Sequence, residues 1–149
     1  LIHSTALADD KEKKHSRDKT IIFIQKQGVE KFVTAFVPQL FTASTRDTFQ
    51  KEIGMAISHT KKSILNGFIA FSKAKRDLKS RLEVLKEYSG PKLMIAGTED
   101  GAVTIQASRL QQSAFTNYHE LKGIGHMGQV EQKNEVIEIL RKFLVIPEL

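Results

Sequence analysis

Gly90-Pro91-Lys92-Leu93-Met94-Ile95-Ala96-Gly97-Thr98-Glu99-Asp100 decides the fold of this 149-residue chain. The pattern changes after Ser89-Gly90-Pro91. A compact apolar run bounded by turn residues predicts a parallel strand over 92–96, buried on both faces. The turn over 97–101 then sets Asp100 at the carboxyl end of that strand, where open α/β sheets build their sites. Downstream, the pattern predicts a helix over 104–112 with Ile105 and Leu110 facing inward. A short, more polar strand over 118–121 follows, near a sheet edge, then a Gly-rich turn over 123–128. The last helix, about 130–144, is expected to bury Val136, Ile137, Leu140, Phe143 and Leu144. Strand, turn and helix, twice over, form the tail of a doubly wound α/β sheet.

Upstream the character changes. A helix is expected over 11–27, with Ile21, Ile22 and Ile24 buried and Gly28 as its stop. Val29, Phe32, Val33, Phe36 and Val37 then recur at helical spacing until Pro38 ends the run. Leu40-Phe41 lead into a turn over 42–45, where Ser44 or Thr45 is placed to cap the next helix. Two helices are expected between 46 and 73 with a break at 58–60, and Leu78, Leu82 and Leu85 mark another. Residues 11–87 therefore read as an all-helical insertion, a lid, between a strand end and turn at 1–10 and an α/β core at 88–149.

Composition narrows the function classes. Hydrophobic residues make up 40% and charged residues 27%, a globular balance. The net charge of +6 gathers at 11–19, at Lys61-Lys62 and at 73–81. Glu12, Asp18, Asp77 and Glu83 interrupt these runs, and no aromatic residue interleaves with them as a base-stacking platform requires. They read as solvated helix faces, so neither nucleic acid nor a membrane is expected as a partner. Zero Cys rules out a disulfide framework and a thiolate metal site, and agrees with a reducing, cytoplasmic setting. The histidines at 3, 15, 59, 119 and 126 form no ligand pair, and no metal or other cofactor is expected. No apolar run reaches the roughly 18 residues of a membrane span. Leu1-Ile2-His3-Ser4 lacks the features of a signal peptide, and Leu1-Ile2 reads as the tail of a buried strand, so the chain is expected to be a fragment or processed product.

Two features carry chemistry. Asp100, at a strand's carboxyl end, is able to orient an imidazole and stabilise its charged form, although Asp100-Gly101 also reads as an ordinary tight turn. His126, on the glycine-flanked turn Gly125-His126-Met127 after the next strand, is the side-chain type most used as a general base. Either alone has a bland explanation. Adjacent strand ends bring the two within reach, and their chain order of acid then histidine is the order that follows the serine in one large hydrolase fold. A competing pattern, Gly123-Ile124-Gly125-His126-Met127-Gly128, fits the dinucleotide fingerprint G-x-G-x-x-G, with Glu148 at a tempting distance. The strand before it is polar (Asn117, His119, Glu120), where a buried first strand is required.

The stretch 90–100, followed by Leu121-Lys122-Gly123-Ile124-Gly125-His126 and Val130-Glu131, resembles the C-terminal part of the α/β-hydrolase superfamily. Arg76-Asp77 ahead of the strand, and Ile2-His3-Ser4-Thr5-Ala6 before a charged helix, resemble it too. The resemblance covers nearly the whole chain and is nearest to small esterase and lactonase-like members with a helical lid. It implies about three parallel strands with flanking helices, Asp100 as triad acid and His126 as triad base. It places Glu131 at the start of the last helix in a structural role, complementing the helix dipole. The Pro usual just after this Glu is absent, and Lys133 stands there. The resemblance further implies a small-molecule acyl substrate. The departure is the nucleophile: none of the nine glycines begins a Gly-x-Ser-x-Gly elbow, and Ser4 lacks the flanking glycines. The chain is thus expected to be inactive alone. The competing expectation is a non-catalytic fragment or scaffold that self-associates, or pairs with a missing N-terminal half, through an exposed sheet edge.

Overall fold

The computed structural model describes residues 1–144. The chain divides into two compact units, one made of Leu1–Ala6, Leu40–Phe49 and the residues from Leu82 onward, the other of Leu7–Gln39 and Gln50–Arg81. The helical stretch 11–87 is therefore shared: 40–49 and 82–87 belong to the strand-bearing unit.

In the strand-bearing unit the apolar run forms β1 (Leu93–Gly97), every residue of which is buried. It pairs in parallel with β2 (Asn117–Leu121), Leu93 opposite Asn117 and Gly97 opposite Leu121. Along its other side Ile2 makes a single parallel bridge to Ile95, through bonds from the Ile95 amide to Leu1 O and from the His3 amide to Ile95 O, both 2.9 Å. Of the three parallel segments expected, the first is thus reduced to one bridge. Leu93, Ile95, Leu121, Ile124, Val136 and Ile139 form the core, with Leu140 and Phe143 packed against it. In β2, Asn117 and His119 are exposed and Tyr118 and Glu120 half-buried, Glu120 accepting a bidentate pair from Arg109 (2.7 Å each), and Leu121 is buried.

Helix α4 (Leu82–Glu87) precedes β1, and α5 (Ile105–Arg109) follows it, capped by the Thr104 side chain accepting from the Ala107 amide. The inward face of α5 runs through Ile105, Ser108 and Gln111, which turns Leu110 to the opposite side; Leu110 is 74% exposed, contrary to expectation. Gln111 is buried in its place. Its side chain accepts from the Ala6 amide (2.8 Å) and donates to Thr5 Oγ1 (2.9 Å) and Ala107 O (3.1 Å), so burying it leaves no orphaned group. The last helix is broken at Gln132 into α6 (Gly128–Glu131) and α7 (Lys133–Leu144). Val136 and Ile139 are its buried residues; Ile137, Leu140 and Phe143 are half-buried and Leu144 is exposed.

The other unit is all helix. Its α1 (Lys11–Phe36) is two helices joined at Gly28, whose φ of +83° is the left-handed backbone that glycine adopts without strain. Asp10 caps the first turn through the Lys13 amide (2.8 Å). Ile21, Ile24, Val29, Val33 and Val37 are buried, whereas Ile22 is 51% exposed, since its neighbours Ile21 and Ile24 already define the inward face. Helices α2 (Gln50–Thr60) and α3 (Leu65–Asp77) pack against α1, their break falling at 61–64 rather than 58–60. Phe32 stacks on Phe36 (ring centroids 5.1 Å apart) and meets Phe68 edge-on (5.5 Å). Several basic residues are paired within this unit: Arg17 with Asp9, Lys61 with Glu30, and Arg76 with both Asp18 and Asp77. Among the described residues no helix is long and apolar enough to cross a membrane.

Ile95 is fully buried at the centre of the sheet. Ile95→Ala is expected to remove about 2–5 kcal/mol from the stability of the strand-bearing unit, read as a lowered urea midpoint; an unchanged midpoint would contradict this core.

Candidate active site

Parallel pairing of β1 and β2 ends both strands at one level, and hydrogen bonds sew their following loops together. The Thr98 amide donates to Leu121 O and the Glu99 amide to Ile124 O, both 3.0 Å, and the Gly123 amide donates to Thr98 Oγ1 at 2.9 Å. Residues 124–125 cross directly over the end of β1. A Cβ on Gly97 would lie 2.4 Å from each of the Ile124 and Gly125 carbonyl oxygens, so only glycine permits the crossing. Gly125 is equally confined, with Leu40 O 2.7 Å from where its Cβ would stand. The glycines of the 123–128 pattern thus serve chain packing, and the helix that follows them has only four residues. Glu148, the acidic residue that pattern would need, lies outside the described residues.

The crossing delivers His126 to Asp100. His126 Nδ1 stands 2.9 Å from Asp100 Oδ2, and the His126 amide is fixed by donation to Leu40 O at 2.8 Å. Asp100 Oδ1 is held by the Ala102 and Val103 amides, each at 2.8 Å. An Asx turn and an imidazole partner are therefore both correct descriptions of Asp100: one oxygen makes the turn and the other meets the ring. The Asp100 side chain is 1% exposed and that of His126 27%. Burial pushes the Asp100 carboxyl up, but the His126 hydrogen bond, the nearby His3 ring, the Val103 amide and the His126 charge outweigh burial and hold it well below the usual carboxylate range. An ionised carboxylate only accepts, so it selects the Nδ1–H tautomer of His126 and leaves the lone pair on Nε2. The Asp100 contact engages Nδ1 and not Nε2.

Two further residues belong to this site. Glu131 reaches back from α6 to the 42–45 turn and the histidine loop. Its carboxylate accepts from Thr45 Oγ1 (2.5 Å), Thr42 Oγ1 (3.5 Å) and the amides of Thr42 (3.2 Å) and Gly125 (3.1 Å). Thr45 therefore serves this contact, and no helix begins beside it; α2 starts only at Gln50. The spacing of Glu131 from His126 carried no signal of these partners, which come from a segment 86–89 residues away. His3 is the other: it is buried, and its Nδ1 lies 3.5 Å from Asp100 Oδ2. Ser4, next to it, has no glycine elbow.

An acid and a histidine on adjacent strand-end loops are compatible with an α/β-hydrolase sheet, and comparison with solved structures gives that fold. The chain superposes on a thermophilic esterase from Thermogutta terrifontis with a TM-score of 0.84 and 18% identity, covering 97% of this chain and 54% of that one. On the enol-lactonase from Burkholderia xenovorans LB400 the TM-score is 0.82 with 20% identity, over 97% and 55%. On a bromoperoxidase from Bacillus anthracis it is 0.76 with 20% identity, over 97% and 53%. The chain has the α/β-hydrolase fold and spans little more than half the length of these proteins. No family model and no curated protein matches its sequence.

Because folding depresses the Asp100 pKa, its charge stabilises the native state above the unfolded value of about 4. That contribution falls away as the pH drops through the folded value, which lies lower still. Asp100→Asn should therefore be less stable than wild type at pH 7, with a gap that narrows steadily from pH 4 downward. Urea titrations across that range check it; a constant gap would count against a depressed Asp100.

Proposed function

We propose that this chain supplies the acid and the base of a serine hydrolase acting on a carboxylic ester, lactone or related acyl substrate. The observation that carries this reading is the 2.9 Å contact of His126 Nδ1 with a fully buried, ionised Asp100, with Nε2 left to face a reactant. In this reading Nε2 takes the proton of a serine hydroxyl as its oxygen bonds to the acyl carbon. The imidazolium, held by Asp100, then gives that proton to the departing alkoxide. In the second half Nε2 takes a proton from water as the hydroxide attacks the acyl-enzyme, and returns it to the serine. Removal of the Nδ1 partner would let the ring turn or change tautomer. No Gly-x-Ser-x-Gly elbow occurs in these 149 residues, so the nucleophile and the oxyanion donors are assigned to sequence outside the chain. The esterase and enol-lactonase likenesses favour ester and lactone substrates.

The full-length protein that contains this chain is expected to hydrolyse a p-nitrophenyl ester or a small lactone. His126→Ala should lower kcat by about three orders of magnitude or more, and Asp100→Asn by a comparable factor, with little change in KM. Near-normal kcat in His126→Ala would end the assignment. The 149-residue chain alone should be inert toward the same ester, and turnover abolished by Ser4→Ala would place the nucleophile within it.

A further inference from the structure

His3 is a buried polar side chain at the strand ends. It sits where the Ile2–Ile95 bridge ends, with a φ of 45°, a left-handed backbone unfavourable for a residue bearing a β-carbon. Its side chain is 3% exposed, yet neither ring nitrogen makes a well-formed hydrogen bond. Its Nε2 lies only 2.1 Å from where a Cβ on Gly128 would be, so the first residue of α6 must stay bare to admit the ring. Strain, burial of a polar ring without a close partner, and a glycine kept for it all fall on one residue. An apolar side chain of similar size would remove the second of these. What the position does have is Asp100 Oδ2 at 3.5 Å from Nδ1, and the His126 ring edge-on with centroids 6.1 Å apart.

We propose that His3 is a positioning residue, a second imidazole on the catalytic carboxylate, donating Nδ1–H to Asp100 Oδ2 and holding that oxygen against His126. This rests on the reading of Asp100 and His126 as acid and base. Such contacts are commonly long in the free enzyme and shorten as charge develops. Here a movement of a few tenths of an ångström by the carboxylate suffices. A donor on Oδ2 also withdraws charge from the carboxylate, which tempers the pull that Asp100 exerts on the His126 imidazolium. The titratable groups that face His3 are Asp100 and His126. β1 brings no charged side chain beside it; Glu131 on α6 is engaged by Thr42, Thr45 and Gly125, and Arg109 on α5 by Glu120.

The test uses the full-length protein with His3→Leu, which has no donor, and His3→Asn, whose amide can stand where Nδ1 does. His3→Leu should lose about 10- to 100-fold in kcat with KM nearly unchanged, and its acidic limb should move to higher pH by about half a unit or more. His3→Asn should recover most of both. Wild-type kcat and pH limb in His3→Leu, with His126→Ala inactive, would overturn the role of His3 and leave the triad standing. An active His126→Ala would instead sink the triad reading. Should His3→Leu fail to fold, the ¹⁵N spectrum of the wild-type imidazoles decides: an Nδ1–H tautomer for His3 is expected, and an Nε2–H tautomer refutes the proposal.

Discussion

The carbonyl oxygens of Ile124 and Gly125 pass so close to Gly97 that a single methyl group would not fit between them. The rest of the site depends on that crossing. It requires β1 and β2 to be parallel and in register, because only then do Gly97 and Leu121 end their strands side by side. It also gives the amides of Thr98 and Glu99 their acceptors on the neighbouring strand and loop. Those bonds need both strand ends side by side, so the crossing and the pairing enforce each other. The placement of His126 over Asp100 is then a consequence of backbone geometry, reached before either side chain contributes.

Two carboxylates converge on this pair of loops and are separated by their partners. Glu131 accepts from hydroxyl and amide groups only, and thereby ties the 42–45 turn and Gly125 to α6. Asp100 accepts from two amides on one oxygen and faces two imidazoles with the other. Amides and hydroxyls do not titrate near neutral pH, so Glu131 is suited to fixing position. An imidazole is a side chain that can exchange a proton with a reactant, and Asp100 faces two of them. Chemistry that moves protons belongs with the second arrangement.

What was legible in the sequence follows from how local each constraint is. The strand at 92–96 was visible because an apolar run between Gly90-Pro91 and Gly97 admits no other structure, and Gly28 announced its break by residue type alone. Leu110 and Ile22 are hydrophobic yet exposed, because Ile105, Ser108 and Gln111 form the inward face of one helix and Ile21 and Ile24 that of the other. Asp100 and His126 were found through chain order and strand-end placement, both readable along one dimension. Glu131 with Thr42 and Thr45, and His3 with Asp100, join segments 86–97 residues apart, counting 100 − 3 = 97 for the last. No spacing rule reaches that far, and in the sequence His3 stands only within the strand end that precedes a charged helix.

An ionised carboxylate offers about four acceptor sites, and in water all of them are filled. Asp100 is withdrawn from water almost completely, so each unfilled site would raise the cost of keeping it charged. The Ala102 and Val103 amides fill the two on Oδ1, and His126 fills one on Oδ2. The fourth faces His3, the ring that Gly128 makes room for and that a left-handed backbone angle turns inward. With apolar strand residues around it, no other neighbour of Oδ2 is suited to complete the set. A buried carboxylate that is to stay charged needs donors on both of its oxygens. The strain at His3 is thus best understood together with the charge on Asp100, as one constraint distributed over two strand ends.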